Sequence, residues 1–156
     1  MNVNPSIIDL VSLAGGAVDA HVVRALEDAG YDGLRVRHGY VFQRLLVEPT
    51  SITRLADALE VSQQAMSKTI AELVDFGYVA ASPDPADARR RVLALTDAGR
   101  GAVETARQAR RSLEDAVTRA VGTGRRDDAR TALEALLATL GVGGRVGSRS
   151  VPIPAE

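Results

Sequence analysis

The sequence predicts a mainly α-helical chain that carries one small β-hairpin. Three observations predict it. Apolar residues recur at three- and four-residue steps over most of the chain, the period of helices packed on one face. Two short helical segments split by a very tight turn occupy its middle. The only convincing strand segments, "YVAA" and "VLAL", then flank the turn-rich stretch "SPDPADARRR". A hydrophobic content of 46% with 3% aromatics gives an aliphatic core, and 156 residues suit one domain.

Asn4 and Pro5 read as a helix start, with Asn as N-cap and Pro at the first helical position. Ile7, Ile8, Val11, Ala14, Val18, Val22 and Leu26 then form one apolar stripe, ending near Gly30. Gly15 and Gly16 fall inside it, where a kink or a close helix contact would use them. "YDGL" is a loop, and "RVRHGYVFQRLLV" is a second helix stopped before Pro49. A short helix from Ser51 or Thr53 carries Leu55, Ala56 and Leu59. The next starts at Ser62, a good N-cap, with Val61 and Met66 placed as a hydrophobic staple. Met66, Ile70, Leu73 and Val74 share one face of this helix; Gln64, Lys68, Ala71 and Asp75 share the other, with Gln63 and Ser67 on its flank. Gly77 ends it. After the hairpin, Thr96 caps a long helix with Val103, Ala106, Ala109, Leu113, Ala116, Val117 and Ala120. "GTG" at 122–124 breaks that helix. A last one carries Ala129, Ala132, Leu133, Leu136, Leu137 and Leu140. From Gly141 the chain has no usable period and much Gly, Ser and Pro, which predicts a disordered tail over 141–156. A helix-turn-helix followed by a β-hairpin is a winged helix-turn-helix, here flanked by N- and C-terminal helices.

Composition excludes several classes of function. The chain has no cysteine, hence no disulfide, thiolate metal site or thiol redox sensor. Met1 to Pro5 lacks the charge of a secretion signal, no apolar run reaches a membrane span, and a cytoplasmic location is expected. No Gly-rich phosphate loop, GxSxG or HExxH is present, so no enzyme activity and no cofactor are expected. His21 and His38 are the only histidines; a metal between them would need carboxylates such as Glu27 or Asp28, and ordinary surface or packing roles are expected instead. A net charge of −1 means that any nucleic-acid role needs a local patch. Arg89, Arg90 and Arg91 supply one. Adjacent like charges repel unless something negative sits opposite, and a hairpin tip bearing them is a compact probe for phosphates or a narrow minor groove. Pro83 and Pro85 stiffen the tip, and Asp87 can fix one guanidinium. A plain solvated loop is the alternative.

The segments "LADALEVSQQAMSKTIAELVDFGYV" and "DPADARRRVLALTDAGR" resemble the MarR family of bacterial transcription regulators. The resemblance is strongest over about residues 34–101. It implies a homodimer built from the first and last helices, so that residues 1–33 and 97–140 dimerise while 34–96 bind double-stranded DNA at a pseudo-palindromic operator. It implies a recognition helix from Ser62 to Phe76, where Ser62, Gln63, Gln64, Ser67, Lys68 and Thr69 face DNA. It makes Arg89 the wing residue that enters the minor groove and Asp87 its orienting partner, with Arg90 and Arg91 beside them. It also implies a ligand-responsive repressor with a small-molecule effector site near Tyr31, His38, Tyr40 and Phe42, although core packing is the favoured account of that cluster. Two departures stand out. The turn of the helix-turn-helix often carries Gly where this chain has Glu60, which costs strain if the position needs a positive φ. The family's redox branch uses an N-terminal cysteine that is missing here. A winged-helix module that binds protein and not DNA is the competing reading.

Overall fold

The computed structural model describes residues 4–87 and 89–142. Side-chain hydroxyls open four of its helices. Ser6, Ser51, Ser62 and Thr96 accept hydrogen bonds from the backbone N–H groups of Asp9, Arg54, Ala65 and Gly99, starting α1 (Ile7–Asp28), α3 (Ile52–Ala58), α4 (Gln63–Asp75) and α5 (Asp97–Val121). The N-cap of α1 is therefore Ser6 and not Asn4. Asp9 stands three residues after Ser6 and its carboxylate accepts from the Ser6 N–H at 3.0 Å, completing a capping box. Asn4 is followed at that spacing by Ile7, which has no such group. The remaining helices are α2 (Val36–Val47) and α6 (Thr123–Thr139).

Four helices close in the same way. After α1, α3, α4 and α6, the next two N–H groups turn back onto carbonyls of the last turn, as in Gly77 to Val74 and Tyr78 to Leu73, both at 2.9 Å. This closure needs a left-handed residue just past the cap. Gly30, Gly77 and Gly141 take it with φ of 83°, 80° and 73°; Glu60 takes it with φ 56°. The tail expected over 141–156 lies outside the described residues from 143 onward.

The hairpin pairs β1 (Val79–Pro83) with β2 (Arg91–Leu95), antiparallel, in a register from Val79 opposite Leu95 to Pro83 opposite Arg91. Pairing thus extends further toward the tip than "YVAA" and "VLAL" suggest. Thr50 adds a one-residue bridge to Leu93. Pro49 favours extended backbone at Glu48, which has φ −159° and ψ 152°, and this delivers Thr50 to the sheet edge.

The core lies between the helix-turn-helix, the hairpin, α2, the C-terminal end of α1 and the N-terminal half of α5. Leu55, Leu59, Met66, Leu73, Leu93 and Val41 are fully buried. Of the five aromatic side chains, four meet at Tyr78: Tyr31, Phe42 and Phe76 lie 6.2–6.3 Å from it, and its hydroxyl donates to the Asp32 carbonyl at 3.0 Å. The α1 stripe divides. Val22 and Leu26 are buried, whereas Ile7 and Ile8 are 61% and 50% exposed; outside the stripe, Leu10 and Leu13 are 50% and 69% exposed. No α6 residue is buried, and Leu133 and Leu140 stay exposed. The helix runs unbroken through Gly15 and Gly16, and a Cβ at either would meet nothing within 4 Å.

Candidate nucleic-acid interface

The α4 helix has one buried and one open side. Met66, Ile70 and Leu73 are buried, while Val74 sits at the rim at 38% exposure. Gln63, Gln64, Ser67 and Lys68 are exposed with Ser62, and Thr69 is half-buried. The helical period thus puts donors and acceptors of different length in one outward row. Their helix is held mainly by α3 and β1.

Local hydrogen bonds build the wing tip. The Asp84 N–H donates to the Arg90 carbonyl at 2.9 Å, and the Asp84 carboxylate accepts from the Ala86 N–H at 2.8 Å. The Asp87 carboxylate accepts from the Arg89 backbone N–H at 3.1 Å and lies 3.6 Å from the Arg90 guanidinium. Asp87 therefore shapes the backbone at Arg89 and faces the side chain of Arg90. Arg91 donates to the Ala81 carbonyl at 3.2 Å, and Arg89, Arg90 and Arg91 are all exposed. The tip is a pre-shaped turn that presents guanidinium groups to solvent, which lowers the entropy lost on docking.

A polar tie joins α2 to α4. The Arg37 guanidinium donates to the Glu72 carboxylate at 3.3 Å, and Nε2 of the buried His38 lies 3.6 Å from the same oxygen. Nδ1 of His38 accepts from the Arg35 N–H at 3.2 Å, which places the proton of the neutral ring on Nε2. Burial, with the Arg37 charge beside it, holds the His38 pKa down to about 4. Burial would raise the Glu72 carboxyl, but the Arg37 hydrogen bond and charge outweigh it and hold it below the usual range.

Two hollows flank α2. A small one, about 60 Å³, is lined by Leu26, Arg35, Phe42, Ala106 and Arg107 among others. A wide groove of about 700 Å³ runs between Leu10, Val18, Tyr40, Arg110 and Leu137. Of the four expected effector residues, Tyr40 lines the groove and Phe42 the small cavity. Tyr31 packs on Tyr78, and His38 is buried beside Glu72.

Residues 32–90 match the MarR family model. Over that stretch, which holds the helix-turn-helix and the start of the wing, the chain is similar to the MarR family. No curated protein sequence matches it. Solved structures share the fold at low identity. A point variant of MepR from S. aureus, bound to an oligodeoxyribonucleotide, is 16% identical with a TM-score of 0.65, over 88% of this chain and 99% of that one. CouR, a transcriptional repressor bound to a 23-mer DNA duplex, is 23% identical with a TM-score of 0.65, over 87% and 92%. RV1404 from Mycobacterium tuberculosis is 21% identical with a TM-score of 0.69, over 88% and 97%. Within the matched region, sequence reasoning missed the tie of Arg37 and His38 to Glu72. The partners lie 35 residues apart for Arg37 and Glu72, and no local pattern announces them. Among the described residues no cluster of metal-ligating side chains forms, and no helix is long and apolar enough to cross a membrane.

Proposed function

We propose that the chain is a sequence-specific DNA-binding transcription regulator, acting as a homodimer on a pseudo-palindromic operator. The observation that carries this reading is the pairing of two exposed features, the outward row of α4 and the arginine-bearing wing. Gln64 can pair with adenine and Lys68 with guanine in the major groove. Arg89 is assigned to the minor groove, where A·T and T·A look alike and width and potential matter more than base identity. The DNA-bound MepR variant and CouR, which share the fold, support the assignment. The uncovered apolar faces of α1 and α6 support the dimer, which would bury more than about 2,000 Å² in all. Half-site centres then fall roughly 10 base pairs apart. The groove beside Tyr40 supports an effector site whose filling releases DNA, the behaviour of a ligand-responsive repressor.

Binding isotherms over a range of salt, on duplex DNA from beside the chain's own gene and on scrambled DNA, test the reading. The wild type should shift the natural probe. Arg89→Ala should weaken binding to both and lower the salt slope by about one counterion. Substituting Gln64 or Lys68 should cost about 1–3 kcal/mol on the best site and relax one or two base positions per half-site. Probes left unshifted even at low salt would sink the reading in favour of a protein-binding module.

A further inference from the structure

Lys68 is the longest donor of the outward α4 row, and Glu72 is the only acid within one turn of it along the helix. That i, i+4 spacing lets a carboxylate and an ammonium pair on the helix surface. A Lys68 paired in this way would be neutralised and bent along α4, away from a base edge. In the structure Glu72 turns the other way. It meets Arg37 at 3.3 Å and the His38 ring at 3.6 Å, both on α2. The His38 ring is itself fixed, because it is fully buried and its Nδ1 takes the Arg35 N–H. Arg37 and Glu72 side chains are only 23% and 25% exposed, so their attraction is less screened than that of an open surface pair.

We propose that Glu72 is a positioning residue for DNA readout: Arg37 and His38 of α2 hold its carboxylate off Lys68, which leaves that ammonium on the outward face of the recognition helix. The inference rests on the DNA-binding reading above. It adds that base discrimination at the Lys68 position depends on a residue of α2 that need not touch DNA. The tie also gives α4 a third anchor. Its apolar packing on α3 and β1 fixes its distance from the core, and a polar bridge set off from that packing limits its roll about its own axis.

The test starts from a random-sequence duplex library enriched by the wild-type protein. Affinities are then measured for the enriched and the scrambled duplex. Arg37→Met removes the guanidinium bonded to Glu72, leaving the neutral His38 ring and the charge of Arg35 nearby, and frees the carboxylate to turn toward Lys68. The ratio of the two affinities should fall about tenfold, the scale of one lost major-groove contact. Adding Glu72→Gln to Arg37→Met removes the competing carboxylate and should restore most of that ratio. A tie that matters only for folding or helix docking predicts the opposite, since the double variant would be no better than the single one. Removing a negative charge raises affinity for all DNA, so the ratio and not the affinity is the readout. Where Arg37→Met lowers the thermal midpoint, Arg37→Gln replaces it with the same expectations. An unchanged ratio in the single variant, or no recovery in the double, overturns the proposal. A wild type that enriches no sequence overturns the DNA-binding reading itself, and the positioning role falls with it.

Discussion

Glu60 occupies the left-handed position that closes α3, where α1, α4 and α6 each place glycine. A side chain there costs about 1 kcal/mol, because Cβ crowds the neighbouring carbonyl. Glu60→Gly relieves the crowding but frees the unfolded chain by a similar amount. Its stability should stay within about 0.5 kcal/mol of the parent, while Glu60→Val should lose about 1–2 kcal/mol, because a β-branched residue fits this region worst. Thermal melts of both variants check the order, and a Val variant as stable as the parent would contradict it. His38 adds a pH dependence. Its folded pKa of about 4 lies below the 6.5 of an unburied ring. The unfolded chain therefore takes up a proton first as pH falls. The stabilisation is fully present above the unfolded value and is lost progressively between it and the folded one. From pH 7 to 5 the loss should be about 2 kcal/mol, approaching one proton's slope of about 1.4 kcal/mol per pH unit. Urea unfolding at several pH values should show that slope, and His38→Asn should flatten it. An unchanged profile in the variant would assign the slope elsewhere.

At the level of elements, one glycine measures how tightly α5 meets the hairpin. A Cβ on Gly99 would collide with the Tyr78 backbone carbonyl, the same oxygen that accepts from the Thr96 N–H at 3.1 Å. Thr96 Oγ1 also donates to the Gly77 carbonyl at 2.6 Å, so the start of α5 is bolted to the α4–β1 junction. Gly99→Ala should therefore destabilise by about 1–3 kcal/mol despite alanine's better helix propensity. Gly16→Ala, with nothing within 4 Å, should stabilise by about 0.5–1 kcal/mol. Equal signs in chemical denaturation would refute the close approach at Gly99. What the sequence disclosed follows the same division between local and distant causes. Ser51, Ser62, Thr96 and Gly77 act on their own neighbours, so their elements were readable, as was the outward row of α4 from its period. The Thr50 bridge, the Glu72 tie and the convergence of Tyr31, Phe42 and Phe76 on Tyr78 join distant segments, and no local spacing encodes them. The start of α1 was misplaced because two capping signals overlap there, and only the Ser6–Asp9 pair satisfies two backbone donors at once.

For the whole molecule the decisive quantity is the apolar surface that a single chain leaves open. Ile7, Leu10 and Leu13 on α1, Leu133 on α6 and Leu140 at the C-cap of α6 stand in water, although Val22 and Leu26 of the same α1 helix are buried. Ile7 and Leu10 border the groove that Leu133 and Leu137 also line, whereas Leu13 lies on the side of α1 opposite Val22. Each such side chain gains roughly 1.5–3 kcal/mol when fully covered, so a few of them support a permanent contact. In the proposed dimer a second copy covers these faces by two-fold symmetry, each α1 lying on elements its partner also presents. Leu13 is the most exposed of them at 69% and makes the sharpest probe. Leu13→Asp puts a charge on the exposed N-terminal half of α1 and leaves the monomer core untouched, because Leu13 is not part of it. Light scattering at micromolar concentration should give a dimer for the parent and a monomer for Leu13→Asp, with far-ultraviolet circular dichroism unchanged. Binding to a two-half-site duplex should then fall steeply, while binding to a single half-site changes little, since each winged helix stays intact. A parent that scatters as a monomer would remove the dimer and with it the palindromic operator. A Leu13→Asp protein that remains dimeric would move the interface off the Leu13 side of α1.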